Sequence, residues 1–262
     1  MGEALITDSQ LMSCLLAHGI NYRDYNYKSS MEKDINTEEF KEKKPFIVKH
    51  KKFYNNPFLW NEVLDKGLDN VINSLILIHS SSLDEDVLSA VIQSPKAKKS
   101  VVKKVMTVVY DNYKTINRSF RIEDIMMDAI YCKNLDGLKM LVEFANEHNI
   151  KPLYENFGNI GDELGFNEAA KLDLEIVKYL HSLGAKVDCY NNWPYYNALK
   201  HGQFVIAKYL LDNGADPKQR ESIAKMAIKH SFIGSEDFTE ENKSAFPYFK
   251  SLYNIGEESS EN

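Results

Sequence analysis

Apolar residues recur along much of this chain at intervals of three and four, the spacing that gathers them on one face of a helix. Within residues 174–188, Leu174, Val177 and Leu180 share such a face; within residues 204–218, Phe204, Ala207, Leu210 and Leu211 do the same. Both stretches close on Gly-Ala, at Gly184-Ala185 and at Gly214-Ala215, thirty residues apart. Glycine just past the last turn takes the left-handed conformation without a Cβ clash, so each pair predicts a helix end. Weaker forms of the ending are visible at Gly19 and at Gly256.

Each clear ending is preceded by another helical stretch. Residues 193–202 carry Pro194, which a first helical turn tolerates, and Gly202, which can close the helix. Residues 226–231 repeat the same Ala-apolar-Lys-His order. Related pairs run through 129–142 and through 169–182, and fainter ones through 60–78 and 87–113. The polar run 234–245 reads as a loop inserted between two helices. A pair of short antiparallel helices cannot bury its apolar face alone, whereas stacked pairs share a continuous core. The pattern therefore predicts an all-α fold, a solenoid of stacked antiparallel helix pairs with short loops. The array covers residues 46–262, degenerate over 46–119 and clearer over 120–256. Residues 1–45 read as a divergent N-terminal helix plus a polar linker, and residues 257–262 as an acidic tail.

Composition narrows this picture without redirecting it. The 262 residues include only 12 Gly and 7 Pro, sparse punctuation for an all-β chain. A hydrophobic share of 44% is too high for general disorder. The formal charge of −6 falls wholly in residues 131–262, with 14 basic against 20 acidic groups. Three scattered cysteines do not make a disulfide framework, and the opening MGEALITD has no basic stretch followed by a long apolar one. No apolar run approaches the roughly 20 residues that span a bilayer. These features lead us to expect a soluble cytoplasmic protein, with the nucleus as the alternative, that does not engage membranes.

Candidate chemistry is thin. The seven histidines have no zinc-site spacing, and neither CxxC nor HExxH occurs. His201 and His230 occupy equivalent places in successive pairs, at helix C-termini where a cation is favoured; they are either structural or part of a contact surface. Residues 158–165 are glycine-rich but lack the Gly-Lys-Ser/Thr ending of a phosphate loop, and read as a turn into the helix through Ala169. Residues 41–118 are net +6, a solvated face or a nucleic-acid surface. The aromatic-polar run 190–196 offers large contact area; Tyr195 is expected in the core, and Trp193 either there or at the surface. Neither a nucleophile elbow nor a triad context is present, so no enzyme activity, cofactor, metal or small-molecule substrate is expected.

Residues 193–218 resemble the ankyrin repeat. Pro194 stands where that family has the proline of Thr-Pro-Leu-His, and Ala198, Gly202, Ile206, Leu210, Leu211, Gly214 and Ala215 fall on its framework positions. Trp193 and Tyr196 depart from the family's Thr and His. The segment from Asp188 to Ala198 is shorter than the common form, which implies a tight loop in place of a projecting hairpin. Compact repeats with Leu-Glu-Ile-Val-Lys-Tyr-Leu look like the arrays of large DNA viruses of amoebae and of some protists. The resemblance implies a scaffold for protein–protein interaction, possible host–virus interaction included, in which loop tips and first-helix ends meet the partner. By position these are Tyr190, Asn191, Asn192, Trp193, Lys200 and His201, then Gln219, Arg220, Lys229 and His230, with Tyr131 and Cys132 in the earlier unit. The alternative is a nucleic-acid-binding protein that uses the Lys-rich residues 41–118.

Overall fold

The computed structural model describes residues 15, 17, 18, 56–78, 80–118, 120–150, 164–230 and 238–255. Among them are twelve α-helices, and the described residues contain no strand. In chain order these are α1 (Pro57–Asp65), α2 (Asp69–Ile78), α3 (Glu85–Gln93), α4 (Lys99–Thr115), α5 (Ile122–Tyr131) and α6 (Leu135–Glu147). There follow α7 (Leu164–Ala169), α8 (Leu174–Ser182), α9 (Cys189–Lys200), α10 (Phe204–Asp212), α11 (Glu221–Lys229) and α12 (Glu240–Leu252). The chain divides into two compact units, residues 1–128 and 129–262.

In the first unit, α1 packs on α2 and on α3, and α4 packs on α2 and on α3. The buried positions are those that the helical spacing predicts. Leu59, Trp60 and Val63 of α1, Ile72 and Leu75 of α2, and Val87, Leu88 and Val91 of α3 are almost wholly removed from water. They are joined by Val105 and Val109 of α4. In the second unit the same alternation holds. Helix α9 packs on α7 and α11, α10 packs on α8 and α12, and the pairs α7–α8 and α9–α10 are closed by short turns. The Lys139 ammonium of α6 lies 5.5 Å from the centre of the Tyr179 ring of α8.

Eight helices end in one way. After the last helical residue and a cap, the next residue turns left-handed, and the one beyond it donates its N–H to a carbonyl five residues back. At Gly184 (φ 107°) the Ala185 N–H reaches Leu180 O at 3.1 Å, and at Gly214 (φ 109°) the Ala215 N–H reaches Leu210 O at 3.0 Å. Ala185 and Ala215 are buried, which explains the Gly-Ala pair: glycine supplies the left-handed backbone and alanine the small apolar contact after it. Gly67 and Gly202 close α1 and α9 in this manner. Asn117, Lys133, Asn149 and Asn254 do so for α4, α5, α6 and α12, with φ between 52° and 54°. The closing residue of α12 is therefore Asn254, two positions before the Gly256 that the sequence pattern favours. Gly256 itself lies outside the described residues, as do Gly19, Gly158, Gly161, the linker 21–45 and the acidic tail.

The polar run 234–245 also needs correction. Its second half is not a loop but the first turns of α12, which begins at Glu240. Thr239 caps this helix by accepting the Asn242 N–H at 3.3 Å, and Glu240 and Glu241 sit where the helix dipole favours negative charge. Asn242 is 3% exposed, because its side chain serves the neighbouring helix. Its Oδ1 accepts the Val205 N–H at 2.9 Å, and its Nδ2 donates to Gln203 Oε1 at 3.2 Å, capping α10, which has no side-chain cap of its own. Asn242 is thus a buried cap for a helix other than its own.

Candidate partner-binding surface

The residues assigned to partner contact fall on α9, α11 and the loops before them. Within α9 the regular right-handed helix begins only at Trp193, because Tyr190, Asn191 and Asn192 all have left-handed backbones (φ 47°, 59° and 62°). This accounts for Pro194: it lies in the first true turn, where its missing N–H leaves no bond unmade. Three successive left-handed residues cost of order 1 kcal/mol each, so something must hold them.

Asn192 does. It is 1% exposed, and its Oδ1 accepts the Asp216 N–H at 3.1 Å. Its Nδ2 donates to Asp216 O at 3.5 Å and to Gln219 Oε1. Gln219 in turn donates to Asn191 Oδ1 at 3.5 Å, and the Asp216 carboxylate accepts the Lys218 N–H at 2.8 Å. Asn192, expected at the partner-facing tip, is thus an internal tie between two successive loops. Asn191, Gln219 and Trp193 are exposed, Trp193 by 42%, while Tyr190 and Arg220 are half-buried.

A second tie lies beneath the loops. Tyr195 is wholly buried, as its place on the helix predicts. Its hydroxyl is 2.7 Å from that of Tyr253, which donates to Pro217 O at 3.0 Å; with that proton committed, Tyr195 is the donor to Tyr253. Burial and this donation raise the Tyr195 pKa, and burial pushes Tyr253 up to about 12, so both phenols stay protonated. The chain of bonds fixes α9, α12 and the loop before α11 together.

At the other end of the first helices, Lys200, Lys229 and His230 are exposed, and His201 is half-buried. His201 and His230 are the C-cap residues of α9 and α11. Burial lowers the His201 pKa from its ordinary 6.5, and the Lys171 and Lys200 ammonium groups push the same way, with Glu168 opposing them. A histidine so depressed stabilises the fold fully above its unfolded pKa and loses that contribution as pH falls through the folded value. The drop in melting temperature between about pH 7.5 and pH 5 is accordingly expected to be smaller in His201→Gln than in the parent chain. Parallel slopes in a thermal-melt series would overturn this.

The exposed side chains include two that the sequence pattern did not single out. Ile223 and Met226 of α11 are 39% and 61% exposed, and Trp193 of α9, the helix on which α11 packs, is exposed as well. They lie three apart on an amphipathic helix, the same spacing as core residues, but the core face of α11 is made by Ala224, Ala227 and Ile228 instead. The earlier positions Tyr131 and Cys132 are also exposed. No group of three or more His, Cys, Asp or Glu able to hold a metal occurs among the described residues. No helix among them is long and apolar enough to cross a membrane.

The described residues form an all-helical structure with a repeated mode of helix closure. Comparison with family models, with curated proteins and with solved structures gave no match.

Proposed function

We propose that this chain is a non-enzymatic binding module, an ankyrin-like solenoid that holds a partner protein through the loop tips and first-helix ends of its repeats. The reading is supported by the alternate packing of α7, α9 and α11 on one side and α8, α10 and α12 on the other. The observation that carries it is the pair of loops before α9 and α11. They are locked to each other by Asn192 yet leave Trp193 and, on α11, Ile223 and Met226 at the surface. Rigid loops flanked by large apolar side chains are what a protein contact exploits, since little freedom is lost on binding. Lys200, Lys229 and His230 give the rim a basic character that fits an acidic border on the partner. A viral or parasite factor acting on a host protein in the cytoplasm is the setting that the repeat pattern favours.

The test is affinity capture from the native cell type with the parent chain and with a variant carrying Tyr190→Ala, Trp193→Ala, Lys200→Ala and His230→Ala. Trp193, Lys200 and His230 are exposed and Tyr190 is half-buried in the turn before α9, so the variant should melt as the parent does. A specific partner is expected to fall roughly tenfold or more in recovery. Undiminished recovery would place the contact elsewhere.

A further inference from the structure

In the first unit, α2 and α4 leave a groove of about 570 Å³ between them. Its floor is Ile76 and Val108, Leu77 stands at its edge 58% exposed, and Lys103, Lys104 and Asn73 border it. On α4 the lining residues fall at 100, 103, 104, 107 and 108, a single helical stripe. We propose that this groove docks a short acidic, amphipathic peptide segment of a partner protein, seating its apolar side chains on Leu77, Ile76 and Val108 and its carboxylates on Lys103 and Lys104.

The charge pattern carries the assignment. Two other lysines of this unit are answered by its own acids: Lys96 by Asp65 at 3.8 Å, and Lys98 by Asp69. Lys103 and Lys104 pair with no acidic side chain among the described residues. Lys104 instead donates to the neutral Asn73 Oδ1 at 3.1 Å, which holds its ammonium at the groove's border without cancelling its charge. Two uncompensated ammonium groups thus border a surface that is also apolar. A nucleic-acid backbone would need a continuing track of uncompensated cations and gains nothing from an aliphatic floor. An amphipathic acidic segment uses both features. The stripe from 100 to 108 spans about 12 Å of helix, so two turns of a docked peptide suffice to fill it.

The test is fluorescence anisotropy of the full chain with a fluorescein-labelled peptide of alternating Glu-Glu and Leu-Leu pairs. Polyglutamate, the matching Lys-Lys/Leu-Leu peptide and a single-stranded RNA of similar length serve as comparisons. The Glu/Leu peptide is expected to bind the parent chain and to weaken roughly tenfold or more with Lys103→Glu and Lys104→Glu together. Leu77→Ser should weaken it several-fold, on the order of a lost apolar contact. The Lys/Leu peptide should bind the charge-reversed chain more tightly than the parent. These side chains are exposed, so unchanged far-ultraviolet circular dichroism melts will confirm folded variants. The proposal is overturned if the Glu/Leu peptide does not bind, or if the charge reversal leaves its binding intact. Polyglutamate or RNA binding the parent chain equally well would overturn it too.

Discussion

Phe204→Ala is expected to remove about 3–5 kcal/mol of stability, the largest single loss in residues 129–262. Phe204 is fully buried at the start of α10, in a cluster of rings contributed from residues 238–249. Its ring centre lies 4.9 Å from that of Phe246, 5.5 Å from Phe249 and 6.0 Å from Phe238. Truncation leaves a cavity that rings fixed on α12 can fill only partly, and it also removes the ring–ring attraction. Urea unfolding followed by circular dichroism measures the loss. Phe204→Leu, which keeps most of the volume, should cost markedly less. Equal effects of the two would show that packing of the cluster is not what matters.

Asn192→Ala is expected to cost about 2–4 kcal/mol, from two sources that a second variant separates. The first is the Asp216 backbone, which loses both its acceptor and its donor. The second is the left-handed conformation at φ 62°, which asparagine tolerates better than alanine. Asn192→Gly keeps the backbone at ease and removes only the bonds, so it should recover roughly 1 kcal/mol of the loss. If glycine and alanine destabilise equally, the turn is not strained. If neither destabilises by more than about 1 kcal/mol, the tie between the loops is not a structural element.

Gly184 and Gly214 could be read directly because few other residues are placed so often at a helix end by the shape of the backbone alone. Asn117, Lys133, Asn149 and Asn254 make the same closure, yet nothing in a lysine or an asparagine announces it. The pattern therefore points to Gly256 at the last helix, whereas Asn254 stands in the equivalent place. Residues 240–245 escaped recognition for a different reason. Their one buried side chain, Asn242, is polar, so a search for apolar periodicity passes over it although it caps a neighbouring helix. A loop asparagine such as Asn192 is usually solvated, and only the approach of residue 216 makes it internal. Tyr195, by contrast, is legible in the aromatic run 190–196 as a residue for the core. The groove between α2 and α4 could not be foreseen, since its two lips come from separate helices whose packing no local pattern encodes.

The internal tie at Asn192 has a kinetic consequence. A loop that samples many shapes must be caught in the right one, which slows association and costs affinity. Here the turn 190–192 and the turn 216–219 are cross-braced before anything arrives. If the chain holds a partner there as proposed, that partner meets loops already braced, and its association rate should depend little on any rearrangement of this chain. Differences in affinity among related partners would then be written almost entirely in how slowly they leave.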